Sequence, residues 1–584
     1  MKLSIIRFIF GIVYLVLILL IGKYLSTKYL DLKGVASVVF GILFFLLVYP
    51  IFLFGLSMLL HTNMNLVLVL IPLILIVTVL GKNMLYFSFN TKEILVLFFA
   101  LIIFVIYFLN YSGPFTGYWD TYIASPSIIM TGHKINFIDL DSNQVYNYNL
   151  TNKLPNDLIN ENSYGIISKD QRLGTGIIFS IPYLFFGMLG FPIFNSLLIS
   201  ISFLLFYYTL KRHMKQNFIS LAISLFLFTN NYFVTVTSLN PNLVGFFFVI
   251  MIIFLVLRPK INWIALGFVF GAFGSIRNVA IIFSIPLAYV LFREKKVFKN
   301  ITLFVLSVIV LISPILFWNY YAFGNPFIHS SQYFGFEGFR PVFDHFFFGT
   351  KFSLNGLLNF PFSLEIVRTP HFSFPVFLFL PLLLIRIFGG FSILVIYGLF
   401  NEIPNIKKYF LLLWIIPMLV LLSFQENWEV AKTSFILLIL PVFFLFLADG
   451  VLKIKSKIPN LKKFLSLLVI SIVVFIFLIN SYHLNYYVDE RWYERFPKAK
   501  LNAYFEYEPL AYPDEFKFFQ TMDSTEEIDS FRQNLTSPKI FPKLFGINML
   551  LKHTSPIDFE SNYLEPNALI ICKYIYVQND SQNI

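Results

Sequence analysis

Apolar segments long enough to cross a lipid bilayer recur along this chain as far as residue 481. Because a helix needs about 20 apolar residues to span the hydrocarbon core, such segments predict membrane-spanning helices. The predicted spans are 5–22, 35–60, 65–81, 94–109, 190–210, 218–230, 242–257, 262–276, 279–292, 300–318, 375–400, 408–424, 431–448 and 464–481. With 58% hydrophobic and 13% charged residues, the composition excludes an ordinary soluble globule. We therefore predict an all-α polytopic membrane protein with about 13–14 transmembrane helices.

Two apolar segments, 174–189 and the first run, differ from ordinary membrane spans in their flanking or internal residues. The segment 174–189 is interrupted by Gly and Pro, so we expect a helix that lies at the membrane interface. The first apolar run is followed by Gly22-Lys23, which is not a small-residue cleavage site, and we expect it to be retained as a helix.

Positive charge is concentrated in alternate loops, which predicts their side of the membrane. One set of loops carries 21 Lys and Arg against 5 acidic residues, and the positive-inside rule makes it cytoplasmic. These loops are 23–33, 82–93, 211–217, 258–260, 293–299, 401–408 and 449–463. The long loops 110–173 and 318–374 then lie outside. We expect a multi-pass protein of the plasma membrane, embedded in the lipid bilayer.

The residues after the last apolar run differ in charge from the rest of the chain. Residues 482–584 hold 10 Lys and Arg against 15 acidic residues, a net of −5, while the whole chain is +12. The alternating stretch ALIICKYIYV near the end predicts a buried strand. We predict a small α/β domain at 482–584, outside the membrane on the same face as the long loops.

Several functional classes are excluded by what the chain contains. The positive charge lies in short loops between apolar runs, so no nucleic-acid partner is expected. Cys572 is the single cysteine, which excludes an intramolecular disulfide and a cysteine-based zinc site. The motifs of nucleotide-binding loops, zinc proteases and serine hydrolases are absent from the sequence.

Asp120 is the candidate catalytic residue. It lies in GYWDTY, about ten residues after the apolar run 94–109, where a lipid phosphate and a water-soluble hydroxyl can meet. A carboxylate at that depth can accept a proton from an acceptor hydroxyl. A solvated loop aspartate beside interfacial aromatic residues is the alternative interpretation.

Arg277 is the candidate phosphate-binding residue. It lies near the tip of a possible hairpin, 262–292, among apolar residues, where a cation must pair or bind an anion. A lipid phosphate is the anion available at that depth, and arginine binds phosphate through two parallel hydrogen bonds. The alternatives are that the side chain reaches the membrane surface or pairs with a loop carboxylate.

The order of these features, over roughly residues 94–450, resembles the GT-C superfamily of integral membrane glycosyltransferases. That superfamily includes protein O-mannosyltransferases and the aminoarabinose transferases of lipid A. The similar elements are GYWDTY, the return segment GIIFSIPYLFFG, the helix pair with Arg277 at its outer turn, SPILFWNYYAFGNPF at 313–327, and YFGFEGFR. The chain departs from the pattern at Thr121 and Asn242, where many relatives have an acidic residue.

The resemblance implies a fold, a reaction and a set of site residues. It implies a catalytic transmembrane core, which we place at 94–481. The helices at 1–93 would then be accessory, and 482–584 is the outer domain already predicted from its charge. The reaction would be transfer of a hexose or pentose from a polyprenyl-phosphate donor to a glycan, lipid or protein acceptor. Asp120 would be catalytic, and Arg277, Tyr333, Glu337 and Arg340 would bind substrate. By their positions, Tyr122 beside Asp120, and Asp170 and Arg172 at the start of the return segment, could also line the substrate site. As alternatives, Asp170 could cap a helix, and Glu337 and Arg340 could form a surface pair.

A divalent cation is the one cofactor for which the sequence offers residues. Asp139 and Asp141 resemble the Asp-x-Asp element that holds such an ion in many glycosyltransferases, and hard oxygen ligands suit Mg²⁺ or Mn²⁺. A solvated loop is the alternative for this common tripeptide.

Two other functions remain open from the residues alone. A lipid-linked-sugar flippase or exporter would need polar residues along a path through the membrane, for which Arg386 and Lys432 are the few candidates. A polysaccharide ligase or polymerase would use one large loop in the second half of the chain. The polar residues are instead concentrated in two long outer loops and the tail, which favours the transferase.

Overall fold

The structure of the chain is a computed structural model that describes residues 5–62, 64–80, 91–109, 135–139, 144–148, 163–165, 173–229, 241–294, 296–323, 326, 384, 388–400, 405–423, 434–457, 569–572 and 575–577. Within these ranges the chain forms α1 (Ile5–Leu30), α2 (Val35–Leu59), α3 (Leu66–Leu80), α4 (Thr91–Leu109), α5 (Leu173–Phe186), α6 (Gly190–Met214), α7 (Asn217–Thr229), α8 (Pro241–Val256), α9 (Trp263–Ile276), α10 (Ser284–Phe292), α11 (Val297–Phe323), α12 (Ser392–Leu399), α13 (Asn405–Ser423) and α14 (Leu440–Lys457). Short 3-10 helices cover Gly187–Leu189, Asn278–Phe283, Gly389–Phe391 and Ser434–Leu438.

The predicted helical character is confirmed wherever the structure describes the predicted spans. The span 464–481 lies outside the described residues, and 375–400 is described at 384 and from 388 onward. Among the described helices, four are long and apolar enough to cross a membrane: Ile6–Leu30, Val35–Leu59, Gly190–Met214 and Val297–Tyr320. The other apolar helices described are shorter.

The outer surface of several helices is apolar, which indicates a membrane protein. Along α11, Leu306, Ile309 and Phe317 are each more than half exposed within the chain. A row of exposed large apolar side chains on a helix with few charges would be costly in water but not in lipid. These helices therefore suit a bilayer.

Glycines set how closely neighbouring helices approach. A Cβ on Gly22 in α1 or on Gly41 in α2 would clash with the backbone of the other glycine. In α9, Gly267 and Gly271 lie against the backbone of α11 in the same way. Small residues at helix contacts let backbones pack closely where lipid supplies no hydrophobic driving force.

The basic loops meet at one end of the bundle. The contacts that join them are Arg258 Nη2 with the Leu30 carbonyl, Asn262 Nδ2 with the Tyr29 carbonyl at 3.1 Å, Tyr208 Oη with Glu93 Oε1 at 3.2 Å, and His213 Nε2 with Asp449 Oδ1 at 2.6 Å. We call this the basic end. Five of the seven loops predicted to be cytoplasmic contribute to these contacts.

The opposite end, which we call the Arg277 end, brings together the other helix termini. Gly55 near the end of α2 lies against Pro314 in the second half of α11, and α9 runs parallel to α11. Ser275 near the end of α9 donates from Oγ to the Leu311 carbonyl at 2.7 Å. Tyr107, near the end of α4, donates from its hydroxyl to the carbonyl of Phe228 in α7.

The segment predicted to lie at the membrane interface is a helix, α5, but it is buried. Its residues from Leu173 to Phe186 are buried except Tyr183, which is partly so. It begins against Ser275, its Ser180 Oγ lies 3.6 Å from Met64 Sδ, and its end packs on Phe8 in α1. These contacts keep α5 at the Arg277 end, beneath its neighbours. Burial within the protein does not decide the depth of a helix in a bilayer, so the position at the membrane interface stays a prediction.

The described residues of the predicted outer regions include five short strands. In the first long loop, β1 (Ile135–Asp139) pairs antiparallel with β2 (Gln144–Tyr148) and with β3 (Ser163–Gly165), in the order β2-β1-β3. Near the end of the chain, β4 (Leu569–Cys572) and β5 (Ile575–Val577) form an antiparallel pair, where the sequence predicts one strand. The rest of 482–584 lies outside the described residues, so the α/β domain stays a prediction.

Candidate functional site

Arg277 lies at the turn between α9 and the 3-10 helix Asn278–Phe283. Asn262 begins α9 by accepting a hydrogen bond from the Ala265 amide at 3.0 Å, as a helix N-cap does. The helix ends at Arg277, which is extended, with φ −141° and ψ 119°. The Arg277 carbonyl then accepts from the Ala280 amide at 3.0 Å and starts the 3-10 helix. The predicted position at a hairpin tip is therefore present.

The Arg277 guanidinium is held by Asn242 of α8. Both Nε and Nη2 donate to Asn242 Oδ1, at 2.9 Å and 2.7 Å. Asn242 has no exposed surface, while Arg277 is partly exposed. Since Asn242 is neutral, this contact orients the guanidinium without itself neutralising it. An oriented cation at the end of a helix bundle can bind an anion.

Two helix N-termini lie beside this cation. Helix α8 begins at Pro241, immediately before Asn242, and proline suits the first helical position because its missing amide needs no partner there. Helix α5 begins at Leu173, and a Cβ on Gly174 would clash with the Ser275 carbonyl, two residues before Arg277. Helix N-termini carry partial positive charge and favour anions such as phosphate. Among the described residues, these two helix termini and the guanidinium are groups that attract a negative ligand.

Aromatic packing anchors the 3-10 helix that follows Arg277. The Phe283 ring stacks on Trp414 of α13, with centroids 4.3 Å apart. The Trp414 indole donates from Nε1 to the Leu438 carbonyl at 2.9 Å, so its polar atom is satisfied in the core. This packing ties the Arg277 turn to helices far along the chain.

The long loop that contains Asp120 leaves and re-enters the bundle at the Arg277 end. Helix α4 ends at Leu109 where Tyr107 contacts Phe228, and α5 begins at Leu173 beside Ser275. Most of the predicted site residues lie outside the described residues: Asp120, Tyr122, Asp141, Asp170, Arg172, Tyr333, Glu337 and Arg340. Their roles stay predictions.

The metal-binding prediction concerns Asp139 and Asp141. Asp139 is the last residue of β1, in register with Gln144 of β2 and Ser163 of β3. In the part of the chain that the structure describes, no three His, Cys, Asp or Glu side chains are grouped to hold a metal ion. The described residues therefore add no ligand to this pair.

The polar contacts at the basic end could not be predicted from the sequence. Asp449 is buried in α14 and pairs with His213 of α6, 236 positions away. Arg258 follows α8 and contacts the last residue of α1. Each is a lone polar residue at the edge of an apolar run, with no local pattern that could reveal its partner.

No protein-family model matches this chain. No curated protein matches it either.

Proposed function

We propose that this chain is a membrane glycosyltransferase that moves a hexose or pentose from a polyprenyl-phosphate donor to a glycan, lipid or protein acceptor. One observation supports this above the others. A guanidinium fixed by a buried asparagine lies at the end of the bundle where the Asp120 loop begins and ends. A lipid phosphate can reach that depth in the bilayer and a soluble acceptor can reach it from water.

The reaction requires few groups. The acceptor hydroxyl attacks the anomeric carbon, the bond between that carbon and the phosphate oxygen breaks, and polyprenyl phosphate leaves. Arg277 would hold the leaving phosphate by charge-assisted hydrogen bonds. Asp120 would take the proton of the acceptor hydroxyl. The donor is already activated, so no nucleotide is needed at the site.

The remaining parts of the proposal concern location. The Arg277 end would face outward across the plasma membrane, because the opposite end carries the basic loops. Residues 482–584 would form a small α/β domain on that outer face. Tyr122, Asp170, Arg172, Tyr333, Glu337 and Arg340 would line the donor and acceptor sites.

A transfer assay with purified protein in lipid nanodiscs tests the proposal. Defined polyprenyl-phosphate sugars are supplied, products are identified by mass spectrometry, and donor binding is measured for wild type, Arg277→Ala and Arg277→Lys. Loss of a charge-assisted pair of hydrogen bonds should weaken donor binding by roughly 2–3 kcal/mol. Lysine should restore part of it, because it lacks the planar fork.

Arg293→Ala is the matched control. Arg293 is an exposed arginine at the other end of the same hairpin, where it packs over the ring of Tyr289. It should bind donor like the wild type. Equal donor affinity for Arg277→Ala and Arg293→Ala, with normal expression of both, would exclude the phosphate role of Arg277.

A further inference from the structure

Arg258 is fixed at the basic end, far from Arg277. It follows α8 by two residues, and its Nη2 donates to the carbonyl of Leu30, the last residue of α1. Nearby, Asn262 Nδ2 donates to the Tyr29 carbonyl at 3.1 Å. These two contacts hold the turn between α8 and α9 against the end of α1. The guanidinium is therefore positioned by the fold.

The other donors of Arg258 lack an acceptor within the described part of the chain. Its Nε and Nη1 atoms are buried and form no hydrogen bond there. A buried donor without a partner is destabilising, because it has lost its hydrogen bonds to water, and more so when the group is charged. An acceptor with several oxygen atoms would remove that cost. The Leu30 carbonyl satisfies only one edge of the guanidinium.

The charges around Arg258 favour an anion. Burial lowers the pKa of the Arg258 guanidinium, and the nearby Arg212 charge lowers it further, while Asp31 acts in the opposite direction. Arg258 thus lies near a second arginine and one carboxylate. Arg212 itself is an exposed residue in the last turn of α6, so its side chain is free to turn toward a ligand.

We propose that Arg258 and Arg212 bind the phosphate group of an anionic membrane lipid at the basic end. A phosphate has the several acceptor oxygens that the Arg258 fork requires and the negative charge that the pair of arginines favours. Arg258 lies two residues beyond the apolar helix α8, in a loop predicted to be cytoplasmic, where anionic lipid headgroups would be within reach. This site is separate from the proposed donor site, because it lies at the opposite end of the bundle.

Native mass spectrometry of the full chain released from nanodiscs tests this proposal. The nanodiscs contain phosphatidylglycerol or phosphatidylcholine, and the bound lipid is counted for wild type, Arg212→Ala and Arg258→Lys. We expect wild type to retain phosphatidylglycerol in preference to phosphatidylcholine. Each variant should lose about tenfold in retention, the effect of one charge-assisted contact. Arg212→Ala should fold normally because the residue is exposed.

Arg293→Ala is again the control, since Arg293 is an exposed arginine in another of the basic loops. It should retain phosphatidylglycerol like the wild type. Equal retention by Arg212→Ala, Arg258→Lys and Arg293→Ala would overturn the proposal, as would equal retention of the two lipids by wild type. A third sample in neutral detergent receives inorganic phosphate alone. If phosphate protects wild type from heat as well as phosphatidylglycerol does, the lipid assignment is wrong.

Discussion

Arg277 and Asn242 share one acceptor atom: Asn242 Oδ1 accepts from both Nε and Nη2 of the guanidinium, at 2.9 Å and 2.7 Å. The two residues are 35 positions apart and belong to different helices. The neutral amide orients the arginine without itself cancelling its charge. Replacing the amide should therefore separate orientation from charge.

Asn242→Asp should raise thermal stability but weaken binding of the anionic donor. The aspartate forms a charge-assisted pair with Arg277 and also cancels its charge. Asn242→Ala should weaken donor binding without raising stability, at a cost of roughly 1–3 kcal/mol for the lost acceptor. Thermal unfolding and donor titration in detergent measure both effects. Unchanged donor affinity in both variants would show that Asn242 does not position Arg277 for binding.

Asp120→Asn should lower transfer by roughly 10²–10⁴, the range that a general base contributes. The amide keeps the size and hydrogen bonding of the side chain but cannot accept the proton. Donor binding and expression should stay normal. Asp139→Asn is the comparison, because its loss should reduce activity only if a metal ion is used. Full activity of Asp120→Asn would transfer the role of base to Asp170 or Glu337.

Gly174→Ala should disturb the Arg277 end. The new Cβ would lie within 2.8 Å of Ile276 Cα and closer still to the Ser275 carbonyl, both backbone atoms that cannot easily move. We expect a loss of roughly 1–3 kcal/mol in the free energy of unfolding, together with reduced donor binding. Gly390→Ala is the control, since nothing lies within 4 Å of its Cβ. Equal stability of the two variants in a detergent melt would contradict the packing of α5 on α9.

The pair of His213 and Asp449 should stabilise the contact between α6 and α14. His213 Nε2 lies 2.6 Å from Asp449 Oδ1. The other carboxylate oxygen, Asp449 Oδ2, is buried and has no hydrogen-bond partner among the described residues. Either alanine variant leaves a polar partner behind and should cost roughly 1–3 kcal/mol. A double-mutant cycle of melting curves should give a favourable coupling energy. Strict additivity of the two substitutions would mean that the pair contributes nothing.

Cysteine labelling checks the two ends of the bundle. In a Cys572→Ser background, Lys260→Cys and Lys299→Cys are exposed positions in two basic loops, while Thr62→Cys is exposed between α2 and α3. An impermeant maleimide should label Thr62→Cys in intact cells and the other two only after permeabilisation. The same response at all three positions would contradict the arrangement of α1–α11 across the bilayer.

The sequence by itself determined the helices and the grouping of the loops. A bilayer demands apolar runs of a certain length, and basic loops reveal their common side, so both properties are local and can be counted along the chain. The tip position of Arg277 followed from the same reasoning. It depends only on where one apolar run ends and the next begins.

The tertiary structure alone decided which polar residues meet. Asn242 entered the sequence reasoning only as a departure from a pattern, yet it holds Arg277. The burial of α5 was also hidden, since an apolar helix reads the same at a membrane surface and under its neighbours. These contacts form where glycines such as Gly174 let the backbones of two helices, far apart in the chain, pack closely together. The distance between two such backbones is not encoded in either segment alone.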